Sequence, residues 1–365
     1  MSPAQPATKS AMVLSGGGGY GAYEVGILRA LCEGKSPATN FTPFHPDVVS
    51  GTSAGAFNAA LFLSRSNPRD AMDLIESVWI DSIADSDVNC GAGVLRLRLN
   101  PRVLAPSCLA VDPFRPFVDL AKDTIFLTAD ILRRGVRFAQ VQGGIDKRLA
   151  ETLDISTIAS TAPYVGLVQQ AVDIGAVRAN RTALRISATN WNTGSLEVFK
   201  NEDMTDETGH SIVLASGSIP GVFPPVKIGD QLYVDGGISS NTPLSPAVNA
   251  GADFVHIVYL DPKLSDLELP PIPNTLDTLY RMIAIALFAM TSRDLKVAEQ
   301  TNRSIAEGKG RPGVRKLVVH KYFPRRALGG ALRWFTFNMG QITRLIRLGY
   351  EDAVNHNCTE QGCII

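Results

Sequence analysis

The sequence predicts an α/β protein built on a mainly parallel sheet, and three observations predict it. Two short apolar strands, Ala11–Leu14 and Val48–Val49, each run into a glycine-rich turn and then into a helical pattern. That strand–turn–helix order is the unit of a parallel sheet, with its loops at the C-terminal edge. A later run, Phe254–Leu260, is apolar except at His256, as strands covered on both faces are. Hydrophobic residues make up 45% of the 365 and charged residues 19%, a globular and not a disordered composition. Lys+Arg and Asp+Glu both number 35, so the charge balance gives no reason to expect a nucleic acid partner.

Taken in order, residues 1–9 are a polar leader without the charged start and apolar core of a signal peptide. Ala11–Leu14 opens the sheet, and Ser15–Gly21 is a glycine loop. Ala22–Glu33 is a helix with Val25, Ile27, Leu28 and Leu31 on its apolar face. The strand at Val48 leads into Gly51-Thr52-Ser53-Ala54-Gly55, a helix follows over Ala56–Ser64, and another over Pro68–Trp79. Residues 81–180 read as a mostly helical excursion, with patterns at Phe117–Leu120, Ile131–Phe138 and Leu149–Ile158. Its Arg133, Arg134, Arg137, Lys147 and Arg148 are read as a solvated face, with contact to anionic headgroups as the alternative. Ala183–Ala188 and Ser195–Phe199 form a hairpin around the turn Thr189–Gly194. A helix over Ile212–Ser216 and a rigid loop over Ile219–Val226 precede the strand Leu232–Val234. That strand ends in Asp235-Gly236-Gly237, and Asn241-Thr242-Pro243 starts the next helix. After the buried strand at Phe254 come a long helix over Asn274–Asn302, a strand over Val314–Val319 and a closing helix over Leu332–Glu351. Residues 10–350 read as one domain and 351–365 as a tail. The longest apolar run, Met282–Met290, falls well short of the ~20 residues a membrane-spanning helix needs. The expected location is therefore cytoplasmic. The ending Cys363-Ile364-Ile365 has one residue too few after the cysteine for prenylation.

Several stretches carry chemistry. Gly51-Thr52-Ser53-Ala54-Gly55 is G-x-S-x-G between a strand and a helix, the setting in which a serine hydroxyl stands clear of a sharp turn. The helix N-terminus behind it offers free N–H groups to a developing oxyanion. The plainer reading is a serine that caps a helix. Gly16–Gly21 satisfies G-x-G-x-x-G, but the second strand ends in the serine turn and not in the acidic residue of a dinucleotide site. Consecutive glycines also suit an oxyanion hole, because backbone N–H groups can then approach an acyl carbonyl. Asp235, at a strand end before two glycines, is placed to reach another loop. An aspartate beside a serine can take its proton if burial raises its pKa. Of the five histidines, His256 reads as a core residue and His320 as the one candidate for a triad base. The five cysteines (Cys32, Cys90, Cys108, Cys358, Cys363) contain no C-x-x-C pair, so the spacing predicts neither a zinc site nor a disulfide framework.

Four stretches together resemble the patatin-like phospholipase family: Leu14–Gly26, Gly51–Gly55, Ala215–Pro225 and Asp235–Gly237. Thr189–Gly194 is similar to that family's turn between two central strands. The resemblance covers roughly residues 10–260. It implies a three-layer α/β/α fold and a Ser-Asp dyad, with Ser53 as nucleophile and Asp235 as base. It also implies that Gly17, Gly18 and Gly19 supply an oxyanion hole. No metal is expected, since the sequence shows no ligand cluster, and no cofactor is expected either. The implied activity is a serine lipid acyl hydrolase of phospholipase A, lysophospholipase or non-specific esterase type. An acyltransferase with the same dyad, or a silent lipid-binding protein on this fold, are the alternatives. The implied partner is a lipid substrate met at a membrane surface, through apolar residues around Phe223 or on the closing helix. One departure is Tyr20, where the family usually carries Arg or Lys, and it removes a charge that would attract an anionic headgroup.

Overall fold

A computed structural model of the chain describes residues 8–84, 94, 96–98, 106–111, 113–140, 144–145, 159–260, 275–310, 314–326, 328 and 337–365. The main sheet contains β1 (Ser10–Leu14), β2 (Val48–Thr52), β3 (Ala183–Asn190), β4 (Leu196–Phe199), β5 (Val226–Ile228), β6 (Gln231–Asp235), β7 (Phe254–Val258) and β8 (Val318–Tyr322). Five of them run parallel in the order β8-β7-β1-β2-β3. The remaining three, β4, β6 and β5, are antiparallel additions at one side.

One detail of the register places two strand ends against each other. β2 pairs with Ala183–Ser187 of β3, and β6 pairs with Ala188–Asn190 of the same strand. β4 pairs with Ile186–Thr189. A strand has only two edges, so β4 fills one and β2 and β6 share the other, end to end. Thr52 lies opposite Ser187 and Asp235 opposite Ala188. The last rungs of β2 and β6 are thus neighbours, separated by about one strand step of ~3.3 Å.

Alternation along β1 defines the layers. Met12 and Leu14 are buried on one face with side chains of α1 (Gly21–Cys32), α2 (Ala54–Leu63), α3 (Pro68–Ser77) and, further along the chain, the helix Met339–Val354. Ala11 and Val13 are buried on the other face with Leu244, Ala247 and Ala298. Helices therefore cover both faces, as the near-continuous apolar strands require. Three more helices matter below: α4 (Arg115–Gln140), α5 (Ala162–Ala171) and α6 (Gly209–Ser216). They are followed by α7 (Leu244–Asn249), α8 (Thr275–Ala306), α9 (Met339–Val354) and α10 (Cys358–Gln361). α9 packs backbone-to-backbone on α1. A Cβ on Gly349 would collide with Tyr23 O, and one on Gly26 would collide with Ile346 O. The pair of glycines is what permits that close approach.

Some elements differ from their expected bounds. The patterns at 117–120 and 131–138 belong to one continuous helix, α4, while residues 149–158 lie outside the described ones. α3 ends at Ser77 and runs on as a π-helical turn, Val78–Ile83. β3 continues through Thr189 and Asn190, which were expected in the turn. The late strand is Val318–Tyr322, not Val314–Val319. Arg315 is drawn to Asp253 at 2.6 Å and Leu317 N–H donates to Asn302 Oδ1 at 2.8 Å, which holds that segment off the sheet. The closing helix starts at Met339, capped by Asn338 Oδ1, which accepts from Gln341 N–H at 2.8 Å. Residues 332–336 lie outside the described ones. Among the described residues no helix is long and apolar enough to cross a membrane.

Candidate active site

The serine turn forms where β2 stops and α2 begins. Ser53 has φ 54° and ψ −121°, a left-handed conformation that a non-glycine residue adopts only under constraint. The constraint is tight packing on either side. A Cβ at Gly51 would strike Gly55 O, and one at Gly55 would strike Leu14 O. Ser53 N–H donates to Ser216 Oγ at 2.9 Å, and Ser216 Oγ donates to Ser187 O at 2.6 Å. Ser53 is the N-cap of α2 by position, yet its side chain makes no capping hydrogen bond. The reading of this serine as a plain helix cap therefore fails, and its hydroxyl borders a cavity instead.

Asp235 arrives from the opposite direction at the end of β6. Its N–H donates to Ser218 O at 2.9 Å, and its carbonyl accepts from Thr189 Oγ1 at 2.9 Å. The residue is 5% exposed. Oδ1 accepts from Gly237 N–H at 2.7 Å, whereas among the described residues Oδ2 is buried with no hydrogen bond of ordinary geometry. Burial pushes the carboxyl pKa up to about 7, against the Gly237 N–H and the Ser53 hydroxyl, which both favour the ionised form.

The glycine loop lies against the same turn. A Cβ on Gly16 would sit 3.1 Å from Ser53 Cβ. Gly16 N–H donates to Asn241 O at 3.0 Å, and Asn241 Nδ2 returns a bond to Gly16 O at 3.2 Å. Gly17 packs against Leu260, while Gly18 adopts φ 54° and borders the cavity with Ser53. Gly18–Tyr20 is a single 3₁₀ turn. The N–H groups of Gly18 and Gly19 are its first-turn donors, which have no partner inside such a turn. Tyr20 is fully buried, so a side chain at this position packs the interior and does not face a headgroup.

The cavity has a volume of about 50 Å³ and is walled by Phe57, Trp79, Ile83, Tyr164, Phe223 and Phe337 among others. No histidine lines it. His320 sits in the middle of β8, three strands from β2, so it is not a base for Ser53. His256 is a core residue as expected, with Nδ1 2.9 Å from Tyr322 OH. Phe223, Leu345 and Ile346 are buried, whereas Pro224 and Pro225 beside Phe223 are exposed, and Trp334 and Phe335 lie outside the described residues.

The sequence reading missed the support behind these groups. Asn58 Nδ2 donates to Glu24 Oε2 at 2.9 Å and to Gly21 O at 3.0 Å, and Trp79 Nε1 donates to Asn58 Oδ1 at 2.8 Å. Glu24 is fully buried, and its carboxyl pKa is raised well above the usual range by burial, opposed by Asn58 and the Ser15 backbone. This chain ties the glycine loop, α1 and α2 together. Its one sequence signal was Asn58, a lone amide within the apolar run Ala54–Leu63.

A family model described as patatin-like phospholipase matches residues 12–248. Among solved structures, the crystal structure of VipD from Legionella pneumophila is 18% identical, with 98% of this chain and 67% of that chain covered at a TM-score of 0.39. The type III effector protein ExoU is 17% identical, with 96% of this chain and 53% of that chain covered at a TM-score of 0.33. This chain thus spans about half the length of ExoU. No curated protein matches it.

Proposed function

Because the chain belongs to the patatin-like phospholipase family, we propose that it is a serine lipid acyl hydrolase acting through a Ser53–Asp235 dyad. The observation that carries this reading is the approach of the hydroxyl of Ser53, a constrained serine that caps nothing, to the buried Asp235 carboxylate. Ser53 Oγ attacks the ester carbonyl as Asp235 takes its proton. A carboxyl with a pKa of about 7 is suited to this, being substantially ionised near neutrality yet basic enough to hold the proton. The negative oxygen of the tetrahedral intermediate is received by the backbone N–H groups of the loop Gly17–Gly19, assisted by the positive end of α2. Collapse expels the alcohol, which leaves with the proton from Asp235, and an acyl-enzyme remains on Ser53. Asp235 then deprotonates a water that attacks the acyl carbon, and as the bond to Ser53 Oγ breaks Asp235 returns that proton to Ser53 and the fatty acid departs. The apolar wall formed by Phe57, Tyr164 and Phe223 supports an acyl chain as the group held there.

Among the described residues, exposed apolar side chains gather on α4, including Phe117, Ile125, Ile131, Leu132 and Val136, with Arg133 and Arg137 exposed beside them. That pattern supports peripheral contact with a lipid surface at α4. The test is hydrolysis of a medium-chain p-nitrophenyl ester, together with labelling by a fluorophosphonate probe. Wild type hydrolyses and labels. Ser53→Ala does neither, and Asp235→Asn loses turnover. Equal hydrolysis by wild type and Ser53→Ala would overturn the assignment.

A further inference from the structure

At the edge of the sheet formed by β8, three strands from β2, four side chains of metal-binding type converge. His320 comes from β8, His356 from the turn after α9, Cys358 from the start of α10 and Cys363 from the turn that follows it. The local chain explains how the two cysteines meet. Asn357 caps α10 through Oδ1, which accepts from Thr359 N–H at 3.0 Å and Glu360 N–H at 3.3 Å. Gly362, at φ 64°, then reverses the chain, and Cys363 N–H returns to Cys358 O at 2.9 Å. Ile364 bridges antiparallel to Val319, which lays the segment along the edge of β8 beside His320. His320 is itself held in place by ring contacts with Phe254 and His256, at centroid distances of 5.2 Å and 5.0 Å.

Cys358 Sγ lies 3.3 Å from His320 Nδ1 and 3.4 Å from His356 Nε2, and Cys363 Sγ lies 3.5 Å from His356 Nε2. All four ligand atoms lie within 4.8 Å of one another. Bond lengths of ~2.3 Å to sulfur and ~2.0–2.1 Å to nitrogen at a tetrahedral centre put neighbouring sulfur and nitrogen about 3.5 Å apart. The spacing in the protein is that of a filled coordination sphere.

We propose that His320, His356, Cys358 and Cys363 bind one zinc ion in a closed Cys₂His₂ site. Two sulfurs and two imidazoles in this arrangement select zinc. Four protein ligands leave no open position for water or substrate, so the ion is structural. Its surroundings fit that role. Lys321 N–H donates to Cys363 Sγ at 3.3 Å, the type of outer contact that steadies a thiolate ligand. His320 and His356 are buried, the sulfurs are half-buried, and a surface cleft bordered by Asn40 and Arg325 gives the ion a way in. The zinc fastens the segment after α9 to β8. The site is independent of the Ser53 chemistry and stands or falls separately from it.

The experiment is elemental analysis of the full chain after reconstitution with equimolar zinc and gel filtration, with cobalt substitution in parallel. The expected result is about one zinc per wild-type chain, falling to under about a tenth in Cys358→Ser/Cys363→Ser and unchanged in Cys32→Ser. The cobalt-loaded wild type shows the visible bands of a tetrahedral site and a thiolate charge-transfer band in the near ultraviolet, a readout that does not depend on how well a variant folds. Wild type without zinc and with Cys358 and Cys363 open to a thiol reagent would overturn the proposal. So would a Cys358–Cys363 disulfide, found as a linked peptide in a non-reduced digest.

Discussion

Replacing Asp235 by Asn should make the protein inactive and, at neutral pH, more stable. The carboxyl is buried and its pKa is about 7 in the folded protein, against an ordinary value of 3.8. Below pH 3.8 both folded and unfolded chains carry the proton, and Asp235 costs nothing. Between 3.8 and about 7 the unfolded chain ionises while the folded protein holds its proton, so stability falls as pH rises. Above about 7 the loss is complete and amounts to about 4 kcal/mol. Asn carries no charge, keeps an oxygen for the Gly237 N–H and can donate to Ser53 Oγ. Urea unfolding of both proteins at pH 5 and pH 8 measures the effect, with the midpoint converted through the slope. The advantage of the variant should grow by about 2–3 kcal/mol between those two pH values. An advantage that does not change with pH, or a variant less stable than wild type at pH 8, would refute the account of Asp235 as a carboxylate held uncomfortably in a dry pocket.

The same carboxyl sets the rate profile. kcat/KM for the p-nitrophenyl ester should fall on the acid side with a midpoint near 7, as Asp235 becomes protonated and can no longer accept the serine proton; a flat profile from pH 5 to pH 8 contradicts the dyad. Ser216→Ala removes the acceptor of the Ser53 N–H, and the loosened turn should lower kcat by about ten- to a hundredfold with KM little changed. Steady-state kinetics with the ester separates the two constants, and a KM effect alone would count against a positioning role. Gly349→Ala drives a Cβ into Tyr23 O and should cost about 3 kcal/mol or more, read as a lower urea midpoint. An unchanged midpoint would mean that α1 and α9 can separate without penalty.

The parts of the site that follow a chain-local rule were legible. Val48-Val49 before Gly51-Thr52-Ser53-Ala54-Gly55 signals strand, turn and helix within a dozen residues, and the structure places them there. Asp235 was legible as a strand end followed by glycines, but the direction of its strand was not, because pairing direction depends on partners far along the chain. The same limit applies to Ser216 on α6, whose hydroxyl matters only because the turn after β2 brings Ser53 to it and β3 brings Ser187. The start of β8 was misjudged because Val314 and Leu317 look like strand residues, while the groups that hold that segment away, Asp253 and Asn302, are distant in sequence. The four side chains proposed to bind zinc illustrate the point again. A search for C-x-x-C passes over C-x₄-C, and His320 lies too far upstream for any spacing rule.

The clasp between α1 and α9 has a consequence in time. The glycine loop, Ser53 and Asp235 all leave the ribosome within the first 240 residues, whereas α9 follows about a hundred residues later. At ~5–20 residues per second that interval is roughly five to twenty seconds. Throughout it, the helix that extends from the glycine loop lacks the backbone surface it is shaped to meet at Gly26. A nascent chain thus carries every reactive group before it carries the scaffold that aligns them. The proposed chemistry against membranes waits for α9 to be translated, and a chain stopped at residue 248 would hold the whole family-matched segment without its clasp.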